Sequence, residues 1–95
     1  MITFDPTKRA RTLKERGLDL AEADQVFAGQ WVAVVDERFD YGETRFITAG
    51  FLRKRMVVMV WTPHGNDRHI ISMRHCHEKE EKHWRARMAR SRRRT

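Results

Sequence analysis

Ninety-five residues are enough for one domain, 1–95, with a modest core and too few for two. Twenty Lys and Arg against 13 Asp and Glu leave a formal net charge of +7, a surface that attracts polyanions or an acidic protein partner. The single Cys76 excludes an internal disulfide and fits a reducing cytoplasm, no apolar run reaches the roughly 20 residues of a membrane span, and Met1-Ile2-Thr3-Phe4-Asp5 shows no signal-peptide pattern.

In chain order, Ile2-Thr3-Phe4 reads as a short strand that can add to a sheet. Asp5 then offers an N-cap, Pro6 suits the first helical position, and the helix runs to about Arg16 with Gly17 as its stop. This helix is apolar only at Ala10 and Leu13, and its five basic residues read as a solvated face rather than an RNA contact. Asp19 caps a second helix, about Leu20–Ala28, whose Leu20, Ala23, Val26 and Phe27 fall at helical spacing and would cover one sheet face. Trp31–Val35 reads as a strand, and residues 36–42 as a polar connection.

The centre of the chain is a meander of three strands, Glu43–Leu52, Arg55–Thr62 and Arg68–Arg74, divided by Arg53-Lys54 and by Pro63–Asp67. Taking these as loops of two and five residues pairs Ile47 with Val60, Arg45 with Thr62, Thr62 with Arg68 and Met56 with Arg74. Arg45, Arg68 and Arg74 then share a face with Ile47, Val58, Val60 and Ile70. The last helix, about His77–Arg92, carries a Glu78–Lys82 pair and a narrow apolar stripe of Trp84, Met88 and Ala89, followed by a basic tail at about 91–95. The expected class is α+β: a small antiparallel sheet of three meander strands plus one or two added ones, with two N-terminal helices and a C-terminal helix.

Three groups of residues point to a family. They are Phe4-Asp5-Pro6-Thr7-Lys8, the run from Asp36 through Asp40-Tyr41-Gly42-Glu43-Thr44-Arg45 to Ile47, and Ile70-Ile71-Ser72-Met73-Arg74 with Glu80 and Trp84 after it. Over about Ile2–Trp84 the chain resembles BrnT-type toxins. It departs from their pattern at Thr12 and Arg16, where that family usually has Asn and His, at His75-Cys76-His77, and at Trp84, where Tyr is usual. The resemblance implies a RelE-like fold and a ribonuclease that inhibits translation by cutting RNA. It also implies a cognate BrnA-type antitoxin that neutralises the toxin and through which alone DNA is touched.

Metal-independent RNA cleavage needs a base for the 2′-hydroxyl, positive charge for the phosphorane and an acid for the 5′-oxygen. Arg45 and Arg74 suit the second role, since a guanidinium stays charged and forks onto phosphate oxygens. The equal alternative is that they form structural ion pairs with Glu43, Glu80 or Asp36. His75, beside Arg74, is the first choice for proton transfer. His69 would turn to the core or to Asp67, and Glu80 would orient an arginine or act as the base. Lys54, Arg55 and Arg68 are candidate RNA contacts, against a plain solvated turn for the first two. His75-Cys76-His77 with His83 lacks the spacing of a structural zinc site, so neither metal nor cofactor is expected. The competing class is a non-enzymatic basic module for RNA or protein, with Phe46, Phe51 and Trp61 available to stack bases.

Overall fold

The computed structural model describes residues 1–92, so the end of the expected basic tail, 93–95, lies outside the described residues. The elements are β1 (Ile2–Phe4), α1 (Pro6–Arg16), a 3-10 turn (Leu20–Glu22), α2 (Ala23–Ala28), β2 (Trp31–Val35), β3 (Phe46–Leu52), β4 (Arg55–His64), β5 (Asp67–His75) and α3 (Glu78–Arg92). They form an α+β domain around one mixed five-stranded sheet in the order β1-β5-β4-β3-β2, antiparallel except where β1 runs parallel to β5.

Local chemistry sets the helix ends. The Asp5 carboxylate accepts the Thr7 amide at 2.8 Å and Pro6 begins α1. Gly17 closes it at φ 68°, a left-handed conformation open to glycine at little cost. The expected second helix is divided: Asp19 caps the 3-10 turn by accepting from Ala21, and only Ala23–Ala28 is α-helical. Leu20, Ala23 and Val26 are buried against one sheet face with Val57, Met59, Ile70 and Met73, and Phe27 packs beside them. On the other face α3 inserts Trp84 and Met88 over Ala49, Met56 and Val58. Ala89, expected in that stripe, is exposed. The ion pair one helical turn apart is Glu81–Arg85, not Glu78–Lys82, among the described residues.

The first meander hairpin has the expected register, with Ile47 opposite Val60 and Leu52 opposite Arg55. Arg53 and Lys54 both take positive φ, 49° and 69°, as a two-residue turn with the strands' own twist requires. The second hairpin differs. β4 continues to His64 and β5 starts at Asp67, so only Gly65 and Asn66 turn the chain, Gly65 at φ 59°. Pro63 is tolerated in β4 because the β3 ladder has already ended at Phe46–Trp61. The pairing then slips: Trp61 faces Ile70 but Val60 faces Ser72, leaving Ile71 as an extra residue.

That bulge corrects the expected grouping of arginines. Arg74 lies opposite Val58 rather than Met56, a shift of two residues that keeps it on the α3 face. Arg68 lies opposite Pro63 rather than Thr62, a shift of one, and turns with Ile70 to the α2 face. There its guanidinium sits 3.9 Å from the Phe27 ring centroid, near Trp31 and Trp61. β3 also begins at Phe46 rather than Glu43, so Arg45 precedes the strand instead of sitting in it.

Gly50 of β3 lies directly under α2. A Cβ built there would lie 2.5 Å from Val26 Cγ1 and 3.3 Å from Trp31 Cβ. Gly50→Ala should therefore lower stability by about 1–3 kcal/mol through overpacking. Thermal unfolding followed by circular dichroism checks this, and an unchanged Tm would show that α2 can move away freely.

Candidate functional site

The α3 face is only half covered. α3 packs over β2, β3 and the Arg55 end of β4, while the opposite end of that face, around His64, His69 and Ser72, is not reached by the described part of α3 and is bordered by α1. Two cavities lie there. One of about 290 Å³ is lined by Lys8, Glu43, Arg45, Thr62, His64 and His69 among others. A second of about 240 Å³ runs under α1 between Lys8, Arg11, Thr12, Glu15 and Arg16 and the strand residues Ile71 and Ser72. Both share Lys8 and Ile71, so they read as one groove with α1 as a wall. A larger cavity, about 770 Å³, opens elsewhere, between α2 and the Arg68 end of β5.

The Asp36–Arg45 connection forms the other wall and is organised by one buried carboxylate. The Asp36 side chain is fully buried and accepts Arg38 Nε and Nη2, both at 2.8 Å, the Arg38 amide, and the Tyr41 hydroxyl at 3.2 Å. Hydrogen bonding from Arg38 outweighs burial and holds this carboxyl well below the usual carboxylate range. Gly42 turns the chain at φ 70° under an Asp40 side-chain bond. Arg45 then lies 4.0 Å from the centroid of the Tyr41 ring and donates to Glu43 at 2.9 Å. The Asp-Tyr-Gly-Glu-x-Arg signature is thus a scaffold that aims one guanidinium.

A second scaffold holds Arg74. Its two terminal nitrogens donate to the two Glu80 oxygens at 2.8 and 2.7 Å, a bidentate pair. Glu80 also accepts the amide of His77, just before α3, the N3 half of a capping box. Pairing with Arg74 lowers the Glu80 pKa to about 2 and raises that of Arg74, which the nearby Arg38 charge opposes. Cys76 Sγ donates to Glu80 and burial pushes its thiol up to about 11, so it stays protonated at neutral pH and is a poor nucleophile.

Of the sequence candidates, Arg45 and Arg74 share the α3 face and Glu80 joins Arg74. They are two strands and four residues apart, roughly 16 Å between Cα atoms, and each is held by its own carboxylate, Glu43 or Glu80. His75 pairs with Val57 and points to the α2 face, away from Arg74, and burial with the Arg55 charge lowers its pKa. Lys54 and Arg55 are exposed at the hairpin tip, and Arg68 lies on the α2 face. Sequence reasoning missed two groups, and it offered His64 and His69 as proton-transfer candidates behind His75. Lys8, Arg11, Thr12 and Glu15 fall at i, i+3, i+4 and i+7, one face of α1, which was readable as a lining surface. Arg38 and Tyr41 needed the buried Asp36 to be recognised. His64 and His69 stack with ring centroids 4.9 Å apart, and His69 Nδ1 lies 2.9 Å from Thr3 Oγ1. The shorter turn brings that pair into register.

Among the described residues, no cluster of three or more His, Cys, Asp or Glu is arranged to hold a metal ion. Among them, too, no helix is long and apolar enough to cross a membrane. A family model described as ribonuclease toxin, BrnT, of type II toxin-antitoxin system matches residues 4–80. Among curated proteins none matches the chain.

Asp36 and Glu80 fix the sign of an acid response. Both carboxyls are held below their unfolded values, so their contribution is complete above about pH 4.5 and lost as pH falls toward 2. Glu80→Gln should flatten the fall in denaturation midpoint between those limits. A variant curve parallel to that of the wild type would remove the Arg74–Glu80 pair from the acid response.

Proposed function

The chain belongs to the BrnT family of ribonuclease toxins of type II toxin–antitoxin systems, and from the groove we propose that it is a metal-independent cytoplasmic endoribonuclease that stops translation by cutting RNA. The observation that carries the reading is the uncovered half of the α3 face. It is walled by Lys8 and Arg11 and lined by Arg45, and Arg74, two residues along β5 from the lining Ser72, follows on the same face. A single strand laid along it meets the two arginines at different phosphates. One guanidinium sits at the scissile phosphate, and the other holds a neighbour in register.

In this reading the 2′-oxygen attacks phosphorus as its proton passes to a base, the P–O5′ bond breaks, and an acid protonates the 5′-oxygen. The products are a 2′,3′-cyclic phosphate and a 5′-hydroxyl. Arg45, stacked on Tyr41, is preorganised to meet the charge on the phosphorane, and Arg74 exchanges part of its Glu80 fork for phosphate. Proton transfer falls to the groove histidines, His64 and His69, rather than to His75 on the other face or to Glu80, whose low pKa makes it a weak base. The ion pairs of both arginines support the competing reading of a non-enzymatic basic module, because structural pairs look the same.

Arg45→Ala and Arg74→Ala separate these readings. Each should cut the cleavage rate about 10²–10³-fold while the circular dichroism spectrum persists. Intact cleavage in both, or loss of fold in both, favours the structural pairs. His69→Gln should slow cleavage and His75→Gln should leave the rate unchanged. Chelator should leave the wild-type rate unchanged.

A BrnA-type antitoxin that lies over the groove neutralises by occlusion. The Arg45→Ala variant should then lose RNA binding when a stoichiometric amount of antitoxin is added. Equal RNA affinity with and without antitoxin would overturn occlusion.

A further inference from the structure

The sheet order leaves β2 as an edge strand, and this edge has none of the usual protection. Trp31-Val32-Ala33-Val34-Val35 contains no charge, no proline and no bulge. The Asp36 amide donates to the Arg45 carbonyl, which makes residues 36 and 45 a hydrogen-bonded pair. Alternation then turns the amides and carbonyls of Val32 and Val34 toward β3, and those of Trp31, Ala33 and Val35 outward, with no strand beyond them among the described residues. The edge is also apolar where it meets solvent: Val35 is 50% exposed and Phe39, in the connection after it, 71% exposed.

Beside this edge the C-terminal half of α3 is basic. A cavity of about 260 Å³ lies between Val32 and Ala33 on one side and Arg87, Arg90 and Ser91 on the other. Arg87 Nε is buried there and, among the described residues, has no hydrogen-bond partner. Arg87 and Arg90 line the cavity with two positive charges, and this surrounding charge calls for an anion.

We propose that the β2 edge receives an extended acidic segment of a protein partner as a sixth strand. Its outward backbone groups pair with Ala33 and Val35. Side chains along the added strand alternate between faces. Those on the α3 face are carboxylates that meet Arg87 and Arg90, and those on the α2 face are apolar and lie beside Val35. A second copy of this chain fits less well, because its own arginines would face Arg87 and Arg90 across the junction. The inference rests on the toxin–antitoxin reading only in making the antitoxin the source of the segment. It places a contact away from the RNA groove, on the other side of α3.

The test uses the toxin bound to the antitoxin encoded beside it, and a synthetic peptide of alternating Glu and Val as an independent probe. Hydrogen exchange at Ala33 and Val35 should slow in both complexes. Ala33→Pro removes an outward amide without touching the ladder to β3 and should weaken binding of either about tenfold or more. Arg87→Glu with Arg90→Glu should weaken it further, and a Lys–Val peptide should not bind. Val35→Lys, which blocks the edge by charge, serves if the proline variant does not fold. Unslowed exchange, or affinity unchanged in a folded edge variant, overturns the inference. So does a self-associated toxin whose dimer Val35→Lys dissolves, since the edge is then covered by a second copy. RNA cleavage is read in parallel. An inactive wild type with peptide-protected β2 amides overturns the ribonuclease reading alone, and an active toxin with an unprotected edge overturns this one alone.

Discussion

A sheet of five strands has two faces to cover, and a chain of 95 residues supplies helix enough for little more than one. The α2 face is closed by the 3-10 turn and α2, with Leu20, Ala23 and Val26 fully buried. The α3 face receives one helix, anchored by two large side chains, Trp84 and Met88, each worth about 1.5–3 kcal/mol of burial. What α3 does not reach stays open and polar, and polar side chains there need partners or solvent. That shortage of cover is why Thr62, His69 and Ser72 line a groove on a sheet whose other face is packed with Met59, Ile70 and Met73.

Two carboxylates then decide how Arg38 and Arg74, beside this groove, stand. Asp36 is buried with its hydrogen-bonding capacity largely filled, an arrangement that an unpaired charge in the same place would not survive. Glu80 divides itself between Arg74, the Cys76 thiol and the first turn of α3. In both cases a guanidinium loses much of its rotational freedom before any ligand arrives, so less entropy would be lost on meeting an anion. The cost would be competition, since an anion would have to displace or share the carboxylate. Arg45 is freer in this respect, because half of its support is the neutral Tyr41 ring.

The fold was legible where a residue's local chemistry determines its conformation. Asp5, Pro6 and Gly17 bound α1 as expected, β1 joined the sheet, and the Arg53-Lys54 turn gave the right pairing of Ile47 with Val60. The second hairpin was misread because Pro63 looks like a terminator. Within a sheet its meaning depends on whether a neighbouring strand is present, which the segment itself does not say. The bulge at Ile71 has no local signature either, yet it alone turns Arg68 away from Arg74. Proximity in sequence likewise favoured His75 as the partner of Arg74, whereas adjacent strand residues face opposite ways. The basic face of α1 was visible as spacing. It read as solvated because nothing in the helix reveals that a half-covered sheet lies beneath it.

The exposed edge and the groove are linked through Asp36, which directly follows Val35. Its amide closes the ladder to Arg45, while its carboxylate orders Arg38 and Tyr41. A strand added at β2 would hold Val35 in extended geometry and so restrain the first residue of the segment that aims Arg45. The coupling is one of order rather than of shape, since the ladder is already formed without a partner. A partner at the edge would therefore stabilise the groove wall while leaving its remaining chain to lie across the groove, and binding and blocking would be separable properties of one protein.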